Sequence, residues 1–371
     1  MKILFLTDQT YLHGGIEKVL ATKANYLAEH YQHQVYIITT EQRNNKPCYS
    51  FSDKINFRDL EINYHREKSY FHPSNLIKVL YDFLLLKKTI ADLKPDVIVM
   101  CNYAFDFYFL PFILPKIPKV KEFHSSRYLE FRNTKTKNIK EQIMTFLSRK
   151  SEKKYHRLVV LNPSEKEFYN SNKISVIPNP IPMSDLWANP QSKKIIAAGR
   201  ISSVKNFGDL IDIFSELKDE LKDWELHFYG ENYLGTQEKL QQKIDAYQLS
   251  NQIKFNGATN DILETMKEYS IYAMTSETEC FPMVLLESLS VGLPIISYNC
   301  PTGPQYIIKD NEDGFLTSHK DDFKKKLLLM IENVDVRKSM SYNGKENSVN
   351  FSVEKIMALW QKLFLDLQNN V

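Results

Sequence analysis

The feature that most limits how this chain can fold is a repeated alternation. A short apolar run is followed by a longer amphipathic one, and the pattern starts afresh part-way along. In the first half, Ile3–Leu6, Gln34–Thr39, Asp96–Met100, Arg157–Leu161 and Ser175–Ile177 read as strands, with Glu17–Tyr31 and Asn75–Leu93 as helices. In the second half, strands at Ile195–Ala198, Glu225–Tyr229, Ile253–Phe255, Ile271–Met274 and Pro294–Ser297 are separated by helices. Those helices are Phe207–Leu217, Lys239–Tyr247, Ile262–Tyr269 and Val284–Leu289. Strands alternating with helices imply parallel sheets covered on both faces and joined by right-handed crossovers. The segment Ile177-Pro178-Asn179-Pro180-Ile181-Pro182 carries three prolines in six residues and reads as a stiff linker between the two halves. The expectation is an α/β protein with two doubly wound, Rossmann-like domains, at 1–178 and 179–352, followed by a helix within 353–371.

A length of 371 residues fits two or three domains. With 43% hydrophobic and 25% charged residues, the chain can bury a large core and is not of a disordered or collagen-like class. Cys48, Cys101, Cys280 and Cys300 are far apart, which fits reduced thiols in a cytoplasmic setting and argues against a zinc module. The greasiest run, Phe105 to Pro118, is broken by Asp106 and three prolines, so no membrane span is expected. The opening Lys2–Asp8 is too short, and meets an acid too soon, for a signal peptide.

Charge divides the halves. Residues 1–180 hold 28 Lys+Arg against 18 Asp+Glu, and residues 181–371 hold 20 against 27. Much of the positive excess lies in Arg132–Arg157, where Ile139, Ile143, Phe146 and Leu147 recur at roughly helical spacing. Such a basic amphipathic helix either lies on an anionic membrane surface or is a solvated helix packed on its own domain. Tyr103–Pro118 reads as buried strand and turn, with a greasy acceptor surface as the alternative. Nucleic-acid binding is disfavoured, because no recognisable module accompanies the basic run.

Ligands of doubly wound sheets bind beyond the carboxyl ends of the strands. There the sequence places His13-Gly14-Gly15-Ile16-Glu17 after the first strand, and Gly199-Arg200 with Lys205-Asn206 after Ile195–Ala198. Glycines admit close backbone approach, and Arg200 and Lys205 can reach one anion. Two ordinary basic residues on a solvated loop are the plain alternative. After Ile271–Met274 come Glu279 and, eight residues on, Glu287, with only apolar residues between. A carboxylate on a helix that otherwise wants burial needs a partner, either a sugar or ribose diol or a structural salt bridge.

These motifs, in this order, resemble the retaining glycosyltransferases of the GT-B fold, in the bacterial E-x7-E group that is family 4-like. The resemblance rests on Gly14-Gly15, Glu122-Phe123-His124-Ser125, Ile177-Pro178-Asn179-Pro180, Gly199-Arg200, Lys205-Asn206, Tyr229-Gly230, Asn256-Gly257, Glu279/Glu287 and Gly292–Ser297. It implies two Rossmann-like domains facing across a cleft, the first binding acceptor and the second a nucleotide-sugar, with the C-terminal helix crossing back to the first. Arg200 and Lys205 would then hold the donor's diphosphate and Glu287 its ribose. Glu279 would contact the donor sugar, with backbone N–H groups at Phe281, Met283 and Val284. His124 would stand beside that sugar, while Gly15, Asn179, Gly199, Gly230 and Gly257 would complete the donor site.

The implied reaction retains anomeric configuration, with UDP as the carrier. No D-x-D triplet occurs in the chain, and the expectation is that Arg200 and Lys205 replace a metal ion, so no cofactor is expected. Tyr298-Asn299-Cys300-Pro301-Thr302-Gly303-Pro304 is similar to a subgroup that builds cell-surface glycans on lipid carriers, often with galactose-type donors. The acid usual after that block is missing from Gln305–Ile308, which leaves the donor sugar open. The expected partners are a nucleotide-sugar donor, a glycan or polyprenyl-diphosphate-linked acceptor, and an anionic membrane surface met through Arg132–Arg157. The rival readings are a sugar-nucleotide epimerase of the same fold and a catalytically silent relative serving as a partner subunit.

Overall fold

The computed structural model describes residues 1–68, 72–132, 139–259 and 261–369, with the backbone alone at Ile139 and Lys140. Two compact units result: Met1–Pro180 together with Val353–Val371, and Ile181–Ser352.

The first unit runs β1 (Lys2–Thr7), α1 (Gly15–Glu29), β2 (Gln34–Thr39), β3 (Asn56–Asp59), α2 (Pro73–Leu93), β4 (Val97–Met100), α3 (Asp106–Phe109), β5 (Lys119–Glu122), α4 (Tyr128–Arg132), α5 (Ile139–Glu152), β6 (Arg157–Val160) and β7 (Ile174–Val176). The second continues with β8 (Lys194–Ala198), α6 (Phe207–Glu216), β9 (Glu225–Tyr229), α7 (Thr236–Ala246), β10 (Ile253–Phe255), α8 (Ile262–Met266), β11 (Ile271–Met274), α9 (Met283–Ser290), β12 (Ile295–Tyr298), β13 (Gly314–Thr317), α10 (Lys320–Glu332) and α11 (Val334–Ser348). The last helix, α12 (Val353–Asn369), returns to the first unit.

The first sheet is parallel throughout, in the order β3-β2-β1-β4-β5-β6-β7. Side chains alternate across it, as the period of two requires. Ile3, Phe5, Val97 and Val99 point to one face, where α1 supplies Leu20, Ala24 and Leu27 and α12 supplies Ile356, Met357, Trp360, Phe364 and Leu367. Leu4, Leu6, Ile98 and Met100 point to the other, meeting Leu86 and Ile90 of α2 and Phe107 of α3. The three- and four-residue spacing on α1 and α12 is what lets each cover a sheet with one stripe. The second sheet is parallel in the order β10-β9-β8-β11-β12-β13, its core packed against α6 and α10.

Two regions differ from the sequence reading. The stretch expected as buried strand and turn instead forms α3 and a 3-10 turn at Leu110–Phe112, with Phe107, Leu110 and Ile113 buried at three-residue intervals. Pro111, Pro115 and Pro118 do not suit a paired strand, and the strand begins only after the last of them. That strand, β5, was hidden by its charge, since Lys119, Lys121 and Glu122 are all buried. The Lys119 ammonium donates to the carbonyls of Leu114 and Ile117, each at 2.9 Å. Of the basic stretch, Lys135, Lys137 and the side chains of Ile139 and Lys140 lie outside the described residues. Among those described, no helix is long and apolar enough to cross a membrane.

Candidate functional site

In the second sheet the chain winds one way from β8 to β9 and the other way from β11 to β12, so the loops after β8 and β11 flank a switch point. Such a point opens a crevice beyond the strand ends. The β8 loop turns through Gly199 at φ +146°, and Gly230, after β9, sits at φ +147°. A Cβ on Gly230 would stand 2.0 Å from the Gly199 carbonyl oxygen, so only glycine lets the two loops touch. Gly230 N–H also donates to Gly257 O at 2.8 Å, which ties in the loop after β10. The tied loops carry Arg200, whose guanidinium lies over the Tyr233 ring at 4.6 Å.

A 3-10 turn at Ser203–Lys205 then presents Lys205 toward the β11 loop. Its ammonium meets Glu279 Oε1 at 2.5 Å, and the Ser276 hydroxyl donates to the same oxygen at 2.9 Å. The two loops are also joined through backbone, by Glu277 N–H to Val204 O at 2.9 Å and by the Thr275 hydroxyl to Asn206 O at 2.9 Å. Glu279 is clasped from its other side: its N–H donates to Pro301 O at 2.8 Å, and its carbonyl accepts from Gly303 N–H at 2.9 Å. Gly303 is needed there, since a Cβ would come within 2.4 Å of Cys280 O. Burial pushes the nearby Cys300 thiol up to about 12, with the Glu279 carboxylate adding to the shift.

Phe281 and Pro282 lead into α9, where Met283 and Val284 form the first turn and Glu287 lies buried. Lys205, Glu279 and the start of α9 are therefore brought together by the fold, with Arg200 on the same loop as Lys205. Together they offer cations, a carboxylate and a helix N-terminus, a set suited to a sugar carried on a phosphate group.

Residues 13–185 match the family model "Glycosyltransferase Family 4", and residues 184–347 match "Glycosyl transferases group 1". The chain belongs to the glycosyltransferases. An uncharacterized glycosyltransferase of Haemophilus influenzae is 27% identical over 94% of this chain and 95% of its own length. A Campylobacter jejuni relative is 26% identical over 100% of this chain and 99% of its own. Its name describes it as an α-1,4-N-acetyl-D-galactosaminyltransferase acting on a diNAcBac-PP-undecaprenol-linked glycan. In fold, the chain is similar to the GT-B structure of Anabaena Alr3699/HepE in complex with UDP, with a TM-score of 0.75 at 16% identity, covering 99% of this chain and 100% of that one.

Gly15, His124 and Asn179 belong to the first unit of this glycosyltransferase. Gly15 opens α1, but the start of that helix already has a carboxylate. Glu17 accepts from Gln9 Nε2 at 2.5 Å, and a Cβ on Gly14 would strike Glu17 at 2.3 Å. Burial raises the Glu17 carboxyl above its usual range, despite the bonds it accepts from its own backbone N–H and from Gln9. His124 Nε2 stands 3.5 Å from Glu122 Oε1, which Lys23 also engages. Burial works to raise the Glu122 carboxyl, but Lys23 and His124 outweigh it and hold the group well below the carboxylate range. Beyond β4 and β5 lies a pocket of about 230 Å³ whose lining includes Asn102, Lys121, His124, Ser125 and Arg127. Asn102 Oδ1 and Asn179 Oδ1 are buried and accept no hydrogen bond among the described residues.

Sequence reasoning missed Tyr233, Ser276 and the clasp at Pro301–Gly303. Ser276 lies within the Thr275–Glu287 stretch that carries the two carboxylates, but its spacing implies no role. The block containing Gly303 had been singled out for its resemblance alone, and Tyr233 carried no signal at all.

Proposed function

We propose that this glycosyltransferase moves a hexose or an N-acetylhexosamine from a UDP-sugar to a lipid-linked or cell-surface polysaccharide acceptor, with retention of configuration and without a metal ion. The observation that carries this reading is the Lys205–Glu279 pair at the switch point, joined by Arg200 on the same loop and by the start of α9. A pair left partly open to solvent is exchangeable. When a diphosphate enters, Lys205 transfers its bonds from Glu279 to the phosphate oxygens and Arg200 turns to the same anion. Glu279, released, accepts from hydroxyl groups of the donor sugar. As the glycosidic bond breaks, negative charge grows on the diphosphate, and the two cations now bound to it stabilise that charge more than they stabilise the ground state. Glu287 holds the ribose.

A lipid-linked acceptor is supported by what the Campylobacter relative's name says of its own substrate. A galactose-type donor is favoured by the Tyr298–Pro304 block. Peripheral binding to the membrane is supported by Arg149, Lys150, Lys153 and Lys154, which are all exposed. Neutralising Lys150, Lys153 and Lys154 is expected to lower sedimentation with anionic vesicles, and unchanged sedimentation counts against that role.

The test is UDP release from a panel of UDP-sugars with chelator present, with and without polyprenyl-diphosphate-linked glycans. Release from one sugar, stimulated by acceptor, is the expected result. Conversion of the nucleotide sugar to its epimer without transfer, or no binding of any nucleotide sugar, overturns the proposal.

A further inference from the structure

Two helices of the first unit present an apolar stripe to solvent. A helix on a globular surface normally buries its apolar stripe and shows water its polar one. On α2 Asn75, Asp82 and Thr89 are buried beside Leu86 and Ile90, while Leu76, Ile77, Leu80, Tyr81 and Leu84 face solvent, Ile77 at 73% exposure and Leu80 at 63%. Asp82 Oδ2 accepts from the Tyr64 hydroxyl at 2.8 Å, and Asn75 Oδ1 accepts from His65 N–H at 3.0 Å, while Asp82 Oδ1 and the Thr89 hydroxyl are buried with no hydrogen-bond partner among the described residues. The exposed residues recur at intervals of three and four, as one continuous stripe. On α5 the pattern repeats, with Ser148, Ser151 and Glu152 buried and Ile143, Phe146 and Leu147 exposed. Both helices pack against α3.

The charge that accompanies these side chains is positive. Lys87 and Lys88 are exposed on α2, and Arg149, Lys150, Lys153 and Lys154 are exposed on α5 and just beyond it. The exposed acids of the two helices are Asp92 and Glu141. The Lys150 ammonium lies 4.5 Å from the Phe146 ring centre, a long side chain whose charge stays at the edge of an apolar patch.

We propose that the outward stripe of α2, aided by the exposed basic residues of α5, docks the protein in the interfacial layer of an anionic lipid bilayer. The apolar side chains enter the acyl boundary, and the lysines and arginines remain among the anionic headgroups. This deepens the lipid-linked reading of the acceptor and rests on it. It also shifts the apolar anchor from the Arg132–Arg157 stretch to α2.

The experiment is cosedimentation of the full chain with phosphatidylglycerol-containing vesicles and with pure phosphatidylcholine vesicles, using wild type, Leu80→Glu/Leu84→Glu and Lys87→Glu/Lys88→Glu. Wild type is expected to bind the anionic vesicles preferentially. The leucine variant is expected to lose affinity on the order of 100-fold, and the lysine variant at least about 30-fold. UDP release with detergent-dispersed acceptor should be unchanged in both. Wild-type binding of the leucine variant overturns the proposal, as does wild type that ignores anionic vesicles or covers the stripe by dimerising. Vesicle binding without transfer to any polyprenyl-linked acceptor overturns the acceptor reading and leaves the docking surface standing. Transfer in detergent without vesicle binding does the reverse.

Discussion

Each unit carries a lysine–glutamate pair near the ends of its strands, and the two pairs differ in burial. Lys23 and Glu122 in the first unit are 1% and 2% exposed, and the lysine also lies over Trp360 of α12 at 4.4 Å. Lys205 and Glu279 in the second are 21% and 13% exposed, on two loops at a switch point. The chemistry of the two pairs is the same, but their surroundings give them different uses. A charge pair sealed from water cannot trade partners, because removing either member leaves an uncompensated buried ion. A pair at the mouth of a crevice can be replaced by a substrate that brings its own negative charge. The first pair therefore holds α1, β5 and α12 together, and the second pair keeps a cation ready for a diphosphate.

This contrast can be broken at several places, beginning with the largest effect. Lys205→Ala should lower UDP-sugar turnover by on the order of 1000-fold while leaving the thermal midpoint nearly unchanged; full activity would remove the lysine from the site. Glu122→Gln should do the opposite, destabilising the first unit by about 3–5 kcal/mol, with UDP affinity retained by the protein that remains folded. A denaturant midpoint equal to wild type would show that the buried pair holds nothing. Glu287→Ala should abolish turnover, since the ribose hydroxyls would lose the carboxylate proposed to hold them; activity in this variant would sink the assignment.

A smaller effect concerns pH. Burial holds the ammonium groups of Lys119 and Lys121 down to about 8, against 10.5 ordinarily. Between those values the unfolded chain binds more protons than the folded one, so the first unit gains stability as pH rises through that window. The denaturant midpoint of the first unit should be higher near about pH 9.5 than near about pH 7.5, and a fall would contradict the burial of these lysines as charged groups.

Much of the fold was legible in the sequence, because apolar periodicity reports which residues must leave water. Gln34–Thr39, Glu225–Tyr229, Ile253–Phe255 and Ile271–Met274 were read with the bounds the structure gives. β3 was not read, since Asn56–Asp59 is a polar edge strand. β5 was missed for a different reason: Lys-Val-Lys-Glu looks like surface until backbone carbonyls and an ion pair are found around each charge. The amphipathic pattern of α12 was visible, but its destination came only from the resemblance. At the candidate site, spacing alone drew attention to Arg200, Lys205, Glu279 and Glu287. It could not show that Lys205 and Glu279 touch, because that contact depends on a reversal in strand order between residues far apart in the chain. The outward apolar stripe of α2 was invisible for a related reason. Its period announced a helix, and only the packed structure shows which side of that helix faces water.

The central claim is that the exchangeable pair serves a UDP-sugar, and the most direct measurement is acceptor-stimulated UDP release by wild type and Lys205→Ala side by side, with chelator present. Wild type should release UDP from one UDP-sugar, and the variant should lose that release almost completely. Equal release by both proteins, or release that needs an added divalent cation, would contradict it.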